Sequence, residues 1–134
     1  EYVNTGTKTA ASFQAAALNG LVTATFSLNG LGDTAFAFFV ADRAYTIVGI
    51  TARVIVTDTN SANGLIRRAP SGTAIASGTQ VHTTNISFGG TANANQAIPV
   101  TSSSLPSGSA LGISLSAAAA TAARGIVTVA LIPA

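Results

Sequence analysis

Apolar and polar residues alternate along the chain from Leu21 onward, which is the pattern of half-buried β-strands. Between Leu21 and Leu28 every even-numbered residue is apolar, whereas Thr23, Thr25 and Ser27 occupy the other face. Because side chains of a strand alternate between its two faces, this segment predicts a strand with one apolar and one hydroxyl-bearing face.

The longest alternation covers Tyr45–Val56 and predicts the strongest strand of the protein. We expect the even-numbered positions from Val48 to the end of this strand to share the apolar face. Thr51 and Arg53 then face solvent or a neighbouring molecule. Before this strand, Ala35–Val40 is a continuous apolar run, which predicts a strand that is buried on both sides.

Shorter apolar segments follow, and clusters of Gly, Pro, Ser and Asn separate them at a spacing typical of all-β sandwiches. The Ala-rich stretch Ser116–Arg124 has helical propensity, but it lies between two β segments, so we interpret it as a connection or a hairpin tip. About eight strands predict a single-domain, all-β sandwich of the jelly-roll type. The shorter strands are predicted at Leu65–Arg68, Gln80–Thr84, Ile86–Phe88, Gln96–Val100, Ala110–Ser116 and Gly125–Ile132.

Asn-Gly pairs that begin at Asn19, Asn29 and Asn63 predict tight turns, because both residues tolerate the positive φ of a type I′ hairpin. Residues 1–20 show no period-two alternation and hold few large apolar groups. We therefore expect an extended N-terminal arm over residues 1–20 and the sandwich domain over residues 21–134. An initiator methionine is normally removed only before a small residue, so Glu1 indicates proteolytic trimming or a sequence that lacks its first residues.

The charged residues are few and scattered, which argues against several kinds of partner. The 134 residues include six Lys or Arg and four Asp or Glu, which gives a net charge of +2. A nucleic-acid surface needs clustered basic residues, but only Arg67 and Arg68 are adjacent. No apolar run approaches the roughly 20 residues that span a bilayer. We expect neither nucleic acid nor membrane as a partner, and the absence of cysteine removes disulfides and cysteine-ligated metals.

The scarcity of charge says more about function than its sign does. A folded monomer of 13.2 kDa exposes about 6,400 Å² by mass scaling, which leaves roughly one charged group for every 640 Å². Ordinary protein surfaces carry several times that density. We infer that Ser, Thr, Asn and Ala cover much of the outside, and that more of it is hidden against copies of the chain and a partner.

His82 is the one histidine of the sequence, so a catalytic triad would have to use it. No Gly-x-Ser-x-Gly elbow accompanies it, and we expect a strand residue that faces solvent or a seam between subunits. Asp33 and Asp58 fall in turn-like sequence, where carboxylates ordinarily form Asx turns or caps. The loop that begins at Asp58 lacks the distal Glu of a calcium loop. We expect no enzyme activity, no cofactor, no metal site and no small-molecule substrate.

Short motifs follow one another over about residues 38–132 in an order that suggests a family. They are Phe-Phe-Val-Ala-Asp-Arg-Ala-Tyr at 38–45, Ser-Gly-Thr-Ala-Ile-Ala-Ser-Gly-Thr at 71–79, Gly-Thr-Ala-Asn at 90–93, Leu-Pro-Ser-Gly at 105–108, Leu-Gly-Ile at 111–113 and Val-Thr-Val-Ala-Leu at 127–131. Together they resemble the small jelly-roll decoration, or cement, proteins of tailed-bacteriophage capsids.

This resemblance implies a structural virion protein without enzymatic activity. It implies a homotrimer on the outer capsid surface that bridges subunits of the major capsid protein, so we expect further copies and the major capsid protein as partners. The predicted interface residues are Arg53, Arg67 and Arg68, because an arginine in a charge-poor protein can stack and bond bidentately across an interface. Alternatively, these arginines are solubilising residues of an outer face.

A receptor-binding or carbohydrate-binding β module of a phage fibre or spike is the alternative function. Such a module presents exposed aromatic side chains in loops, whereas Tyr2 and Tyr45 are the two tyrosines here and Trp is absent. A glycan-cleaving enzyme is the third candidate. It needs two carboxylates that face each other across a cleft, and Asp33, Asp42 and Asp58 are the candidates besides the terminal Glu1.

Overall fold

The computed structural model describes residues 20–30 and 33–134, in which ten β-strands pair antiparallel with their neighbours. A short 3₁₀ turn at Ile75–Ser77 precedes the fifth strand. The strands are β1 (Val22–Leu28), β2 (Ala35–Val40), β3 (Tyr45–Val56), β4 (Asn63–Ala69), β5 (Thr79–Gln80), β6 (Ile86–Ser87), β7 (Asn95–Ile98), β8 (Ser104–Leu105), β9 (Ala110–Leu115) and β10 (Arg124–Pro133).

The strands form two five-stranded sheets. Sheet I has the order β1-β10-β3-β7, with β8 also paired to β3, and sheet II has the order β2-β9-β4-β5, with β6 also paired to β4. The first strand therefore lies beside the last, and the second beside the ninth. This nested order is that of the jelly roll, in which two Greek keys form a double sheet. The predicted all-β sandwich of the jelly-roll type is confirmed.

The hydrophobic core lies between the two sheets and follows from the alternation in the sequence. Along β1 and β10 one residue in two is buried, because each of these strands has one face on the core and one face outside. Burying one Leu, Ile or Phe side chain stabilises a fold by about 1.5–3 kcal/mol. The largest fully buried side chains are Phe88, Ile50, Ile66, Ile86, Leu105, Leu111, Ile113, Leu131, His82, Val54, Val81 and Val127.

Strand β2 pairs with β9 alone and forms one edge of sheet II. Its residues are exposed or half-buried, and Val40 is 67% exposed. The prediction that this strand is buried on both sides is therefore wrong, because Ala35, Ala37 and Val40 stay exposed. A register shift between Ala37 and Phe39 lets two successive residues, Phe38 and Phe39, both pack against the core. The continuous apolar run thus reflects an irregular edge strand.

Strand β3 changes phase at Val48, which is 51% exposed. The residues opposite Ile47 and Gly49 are consecutive on β10, so Val48 has no partner and forms a β-bulge. Ile47 consequently joins the buried face, and the even-numbered positions 50–54 are buried as predicted. The predicted burial of Val48 and Val56 is wrong, whereas Thr51 is exposed as expected.

The two Asn-Gly pairs that the structure describes in full do not form the predicted hairpins. Gly30 has a positive φ of 72°, but the loop around it joins β1 to β2, which belong to different sheets. Asn63 and Gly64 begin β4 instead of forming a turn. The second position packs tightly, because a Cβ there would lie 2.8 Å from Cδ1 of Ile113 and the Ile113 side chain would have to shift. Asn19 lies outside the described residues.

The remaining segments agree with the prediction in part. Ser116–Arg124 is a connection that leads into the last strand, as predicted. Strand β5 ends at Gln80 instead of Thr84, and the short strand β8 has no counterpart among the predicted strands. Residues 1–19, which contain almost all of the predicted arm, lie outside the described residues, so the division into arm and domain stays a prediction. No helix of the described segments has the length and hydropathy needed to cross a membrane.

Candidate interaction surface

The three arginines predicted to form an interface lie at three different places in the fold. Arg53 stands on β3 in sheet I, whereas Arg67 and Arg68 are neighbours on β4 in sheet II. Because successive side chains of a strand point to opposite faces, the side chains of Arg67 and Arg68 lie on opposite faces of sheet II. Their hydrogen bonds agree with this placement, since they end on different segments of the chain.

Arg68 connects the two sheets. Its Nη1 donates hydrogen bonds to Oγ of Ser102 at 2.7 Å and to the backbone oxygen of Ser104 at 2.9 Å. Ser104 belongs to β8 in sheet I, so one side chain from sheet II holds the margin of sheet I. A charged donor makes these bonds stronger than bonds between neutral groups.

Arg67 lies on the outer face of sheet II. Its Nε donates to Oγ of Ser114 at 2.8 Å, and its Nη1 donates to the backbone oxygen of Gly78 at 2.9 Å. The bond to Gly78 fixes the segment of the 3₁₀ turn over the outer face of this sheet. Ile75 of that turn packs so closely that a Cβ on Gly112 would lie 2.7 Å from its Cδ1. Part of the outer face of sheet II is therefore covered by the chain itself.

Replacing Arg68 by Met is expected to lower the free energy of unfolding by about 1–2 kcal/mol, because the two bonds between the sheets are lost while the apolar stem remains. Arg53→Met serves as the control and is expected to change stability by less than about 0.5 kcal/mol, because its side chain is exposed. Urea unfolding of both variants measures the difference. Equal effects of the two substitutions would show that the link between the sheets contributes little.

The outer face of sheet I carries hydroxyl and apolar side chains. Thr25, Thr128 and Thr51 stand side by side on β1, β10 and β3. The adjacent row contains Ser27, Ile126 and Arg53, and Asn95 of β7 stands opposite this arginine. Among the described residues, the exposed large apolar side chains on or beside sheet I are Leu21, Val48, Ile55, Val56, Ile126 and Ile132, and the one on sheet II is Val40.

Arg53 stands in this outer face beside a shallow hollow. Its Nε donates a hydrogen bond of 2.7 Å to Oδ1 of Asn95, and its two Nη groups make no hydrogen bond to a described residue. The hollow has a volume of about 490 Å³. The residues that line it are Thr51, Ala52, Arg53, Asn95, Gln96, Ala97, Ile126 and Thr128. The sequence pointed to Arg53, but it did not point to Asn95, because a single amide in a turn-rich segment is not a distinctive signal.

His82 is completely buried, so the prediction that it faces solvent or a subunit seam is wrong. Its Nε2 accepts a hydrogen bond of 2.8 Å from the backbone N–H of Ile66, and its Nδ1 lies 2.7 Å from the backbone oxygen of Thr84. Nδ1 must therefore carry the proton and donate it, which defines a neutral ring. Burial lowers the pKa of His82, although the bond to Thr84 opposes this effect. The imidazole holds the segment between β5 and β6 on β4.

Asp58 forms the predicted Asx turn and also joins two loops. Its Oδ1 accepts hydrogen bonds from the backbone N–H groups of Asn60 at 3.0 Å and Ala120 at 2.8 Å, and its Oδ2 accepts one from Ala62 at 2.7 Å. Burial raises the pKa of the Asp58 carboxyl, but the amides of Ala120, Ala62 and Asn60 outweigh burial and hold that pKa below its usual value. The carboxylate is thus an internal anchor of the loops beside Ser116–Arg124.

Asp42, which is exposed, has local partners only. Its Oδ1 accepts a hydrogen bond of 2.6 Å from the Tyr45 hydroxyl, and its Oδ2 lies 3.3 Å from Nη2 of Arg43. The bond from Tyr45 lowers the pKa of Asp42. Within residues 20–30 and 33–134, no three His, Cys, Asp or Glu side chains come together as a metal site would require.

Comparison with known proteins identifies the fold. No family model matches the chain, and no curated protein matches its sequence. One similar solved structure is a chain of the capsid asymmetric unit of cyanophage Pam1, with a TM-score of 0.53 and 15% identity over 85% of this chain and 84% of that one. Another is a chain of the acidic stable capsid of Helicobacter pylori bacteriophage KHP30, with a TM-score of 0.55 and 8% identity over 84% and 87%. At such identities the likeness establishes a fold shared with chains of phage capsids.

Proposed function

We propose that this chain is a structural virion protein that decorates the outer surface of a phage capsid. It assembles there as a homotrimer and bridges subunits of the major capsid protein. The observation that carries the proposal is the fold shared with chains of two phage capsids over at least 84% of this chain. The sequence motifs of the decoration proteins support the same role.

The surface of the molecule supports a function that depends on contact between proteins. The outer face of sheet I combines hydroxyl groups with exposed isoleucines and one arginine, which suits a broad and nearly uncharged interface. Each copy that docks on a shell removes apolar area from water, at about 25 cal/mol per Å² before the costs of association are deducted. A protein that binds only the assembled lattice stabilises that lattice by mass action.

The interface role of the three arginines belongs to this proposal. Arg53 is the most accessible of them, because it is exposed and neither of its Nη groups makes a hydrogen bond to a described residue. Arg67 and Arg68 are half-buried, and each has an Nη2 group without a hydrogen bond to a described residue. Their internal bonds hold the guanidinium planes in place. Arg68 keeps Nε and Nη2 without a hydrogen bond to a described residue, which suits a bidentate contact with a partner, whereas Arg67 already uses Nε and Nη1.

Sizing chromatography with light scattering, followed by mixing with capsids stripped of this protein, tests the proposal. We expect trimers that rebind the capsids and raise the temperature at which the shells open. Arg67→Ser combined with Arg68→Ser should reduce occupancy, whereas Arg124→Ser serves as the matched control. A stable protein that ignores the capsids and binds oligosaccharides would support the receptor-binding module instead.

A further inference from the structure

We propose that the outer face of sheet I docks a second copy of this chain head to tail, with Arg53 of one copy receiving the Asp33 carboxylate of the next. The inference rests on the self-association that is part of the proposed function, and it names the surface and the charge pair that would carry it.

The outer faces of the two sheets differ in how far the chain itself covers them. On sheet II, Ile75 and the bond from Arg67 to Gly78 place the chain's own segment over the outer face. No described element covers the outer face of sheet I in this way, and Ile55 and Ile126 remain 46% and 39% exposed on it. Apolar side chains grouped on one face indicate an interaction site. Because this face carries little charge, we expect it to bind another surface that carries little charge. A second copy of the chain provides such a surface.

The environment of Arg53 suits a carboxylate. Because Nε is bound to Asn95, the guanidinium plane is held while Nη1 and Nη2 have no hydrogen bond to a described residue. The hollow beside it is lined by Thr51 and Thr128, whose hydroxyls can donate to an oxygen. The fork of an arginine binds both oxygens of a carboxylate, and such charged bonds are stronger than neutral ones.

Asp33 is the carboxylate of the described chain that is available to a second copy. Asp42 already accepts bonds from Tyr45 and Arg43, and Asp58 is buried and accepts three backbone amides. Asp33 is exposed and makes no hydrogen bond or ion pair to another described residue. The next residue, Thr34, is fixed because its backbone oxygen accepts a 2.7 Å bond from Leu115.

The positions of the two charges determine the type of contact. Arg53 lies on the outer face of sheet I, whereas Asp33 lies in the loop that leads into sheet II, so the contact joins different patches and can close into a ring. Four strands spaced at about 4.8 Å and about seven residues long give a face of roughly 450 Å². Each contact then buries roughly 450 Å² on either partner, or roughly 900 Å² in total, which is below the roughly 1,200 Å² at which standard interfaces begin. A closed ring compensates for this because each copy makes two such contacts.

Charge reversal tests the pair directly by analytical ultracentrifugation of the full chain. Arg53→Asp and Asp33→Arg are each expected to weaken self-association at least tenfold, because like charges then face each other across the contact. The double variant should restore association, because the pair is rebuilt with its signs exchanged. Arg43→Asp changes the net charge as Arg53→Asp does but lies in the exposed loop between β2 and β3, away from this face, so it should leave association unchanged.

Thr25→Lys provides a second variant that leaves Arg53 and Asn95 untouched. It places a cation on β1, at the edge of the face, and should weaken association, whereas Thr73→Lys on an exposed turn should not. Thermal unfolding confirms that each variant is folded. A wild-type protein that is monomeric at about 100 μM, far above the Kd of a micromolar contact, would overturn the inference. A double variant as dissociated as the single ones would overturn the pairing.

The outcome separates this inference from the proposed function. A wild-type protein that binds capsids as a monomer would overturn the self-association surface and leave the decoration role standing. A protein that associates through Arg53 and Asp33 but ignores capsids would support the surface and contradict the decoration role.

Discussion

Replacing Asp58 by Ala is expected to lower the free energy of unfolding by about 3–5 kcal/mol, because three backbone N–H groups lose a charged acceptor at once. Two of these groups belong to the loop that follows β3, and the third belongs to the Ala-rich connection before β10. The loss should therefore loosen both loops together. Urea unfolding at neutral pH measures the change, and hydrogen exchange at Ala62 and Ala120 locates it.

The pH dependence distinguishes the ionised carboxylate from simple packing. The pKa of Asp58 is lowered from its ordinary value of 3.8, so the folded state binds the proton less well than the unfolded chain. Its contribution is fully present above pH 3.8 and is lost as the pH falls through the lower folded-state pKa. The Asp58→Ala variant should lack this acid-induced loss. Asp42→Ala, at an exposed site, is the control and should change stability far less. Equal losses in the two variants would contradict the anchoring role.

Replacing His82 by Leu is expected to lower the free energy of unfolding by about 2–4 kcal/mol. The backbone N–H of Ile66 and the backbone oxygen of Thr84 would then be buried without their hydrogen bonds. His82→Gln is the matched variant, because its amide has one group that accepts and one that donates, and we expect it to recover part of the loss. If the His82→Leu variant were as stable as the wild-type protein, the imidazole ring would contribute only by filling space.

Titration of His82 predicts a second pH range in which the stability of the protein changes. Because its pKa is lowered from 6.5 in the folded state, the unfolded chain takes up the proton first as the pH falls. The stability due to the neutral ring is fully present above pH 6.5 and is lost as the pH falls from there toward the folded-state pKa. Denaturant unfolding of wild type and His82→Gln across this range tests the sign, since the glutamine variant does not titrate. Parallel pH profiles of the two proteins would contradict the assignment.

The sequence predicted those strands whose alternation is regular along their whole length. Strands β1 and β10 are examples, because each has one face on the core and one face outside. It misplaced Val48 because a bulge inserts one residue and reverses the phase, and nothing in a run of β-branched residues marks where that happens. The Asn63-Gly64 prediction was wrong because this pair begins β4, where Gly64 packs closely against Ile113, and local sequence does not show contacts with a distant strand.

The candidate site was predictable only as far as residue type allows. Scarcity of charge drew attention to the arginines, and their interface role stays a prediction. The structure shows that Arg67 and Arg68 bond to different segments, which the sequence alone does not specify. Which arginine stands on an uncovered face depends on how the segment that contains Ile75 folds over sheet II, and this is a tertiary feature. The burial of His82 was missed for the same reason, because its partners Ile66 and Thr84 satisfy a polar ring that the sequence presents as isolated.

A cryo-EM map of the native particle tests the decoration role most directly. The account predicts three jelly-roll densities around each local three-fold axis outside the shell, each touching at least two subunits of the major capsid protein. Arg53 should lie at the contact between neighbouring copies. Density for this chain as an isolated monomer at a fibre tip, or its absence from the outer surface of the shell, would contradict the account.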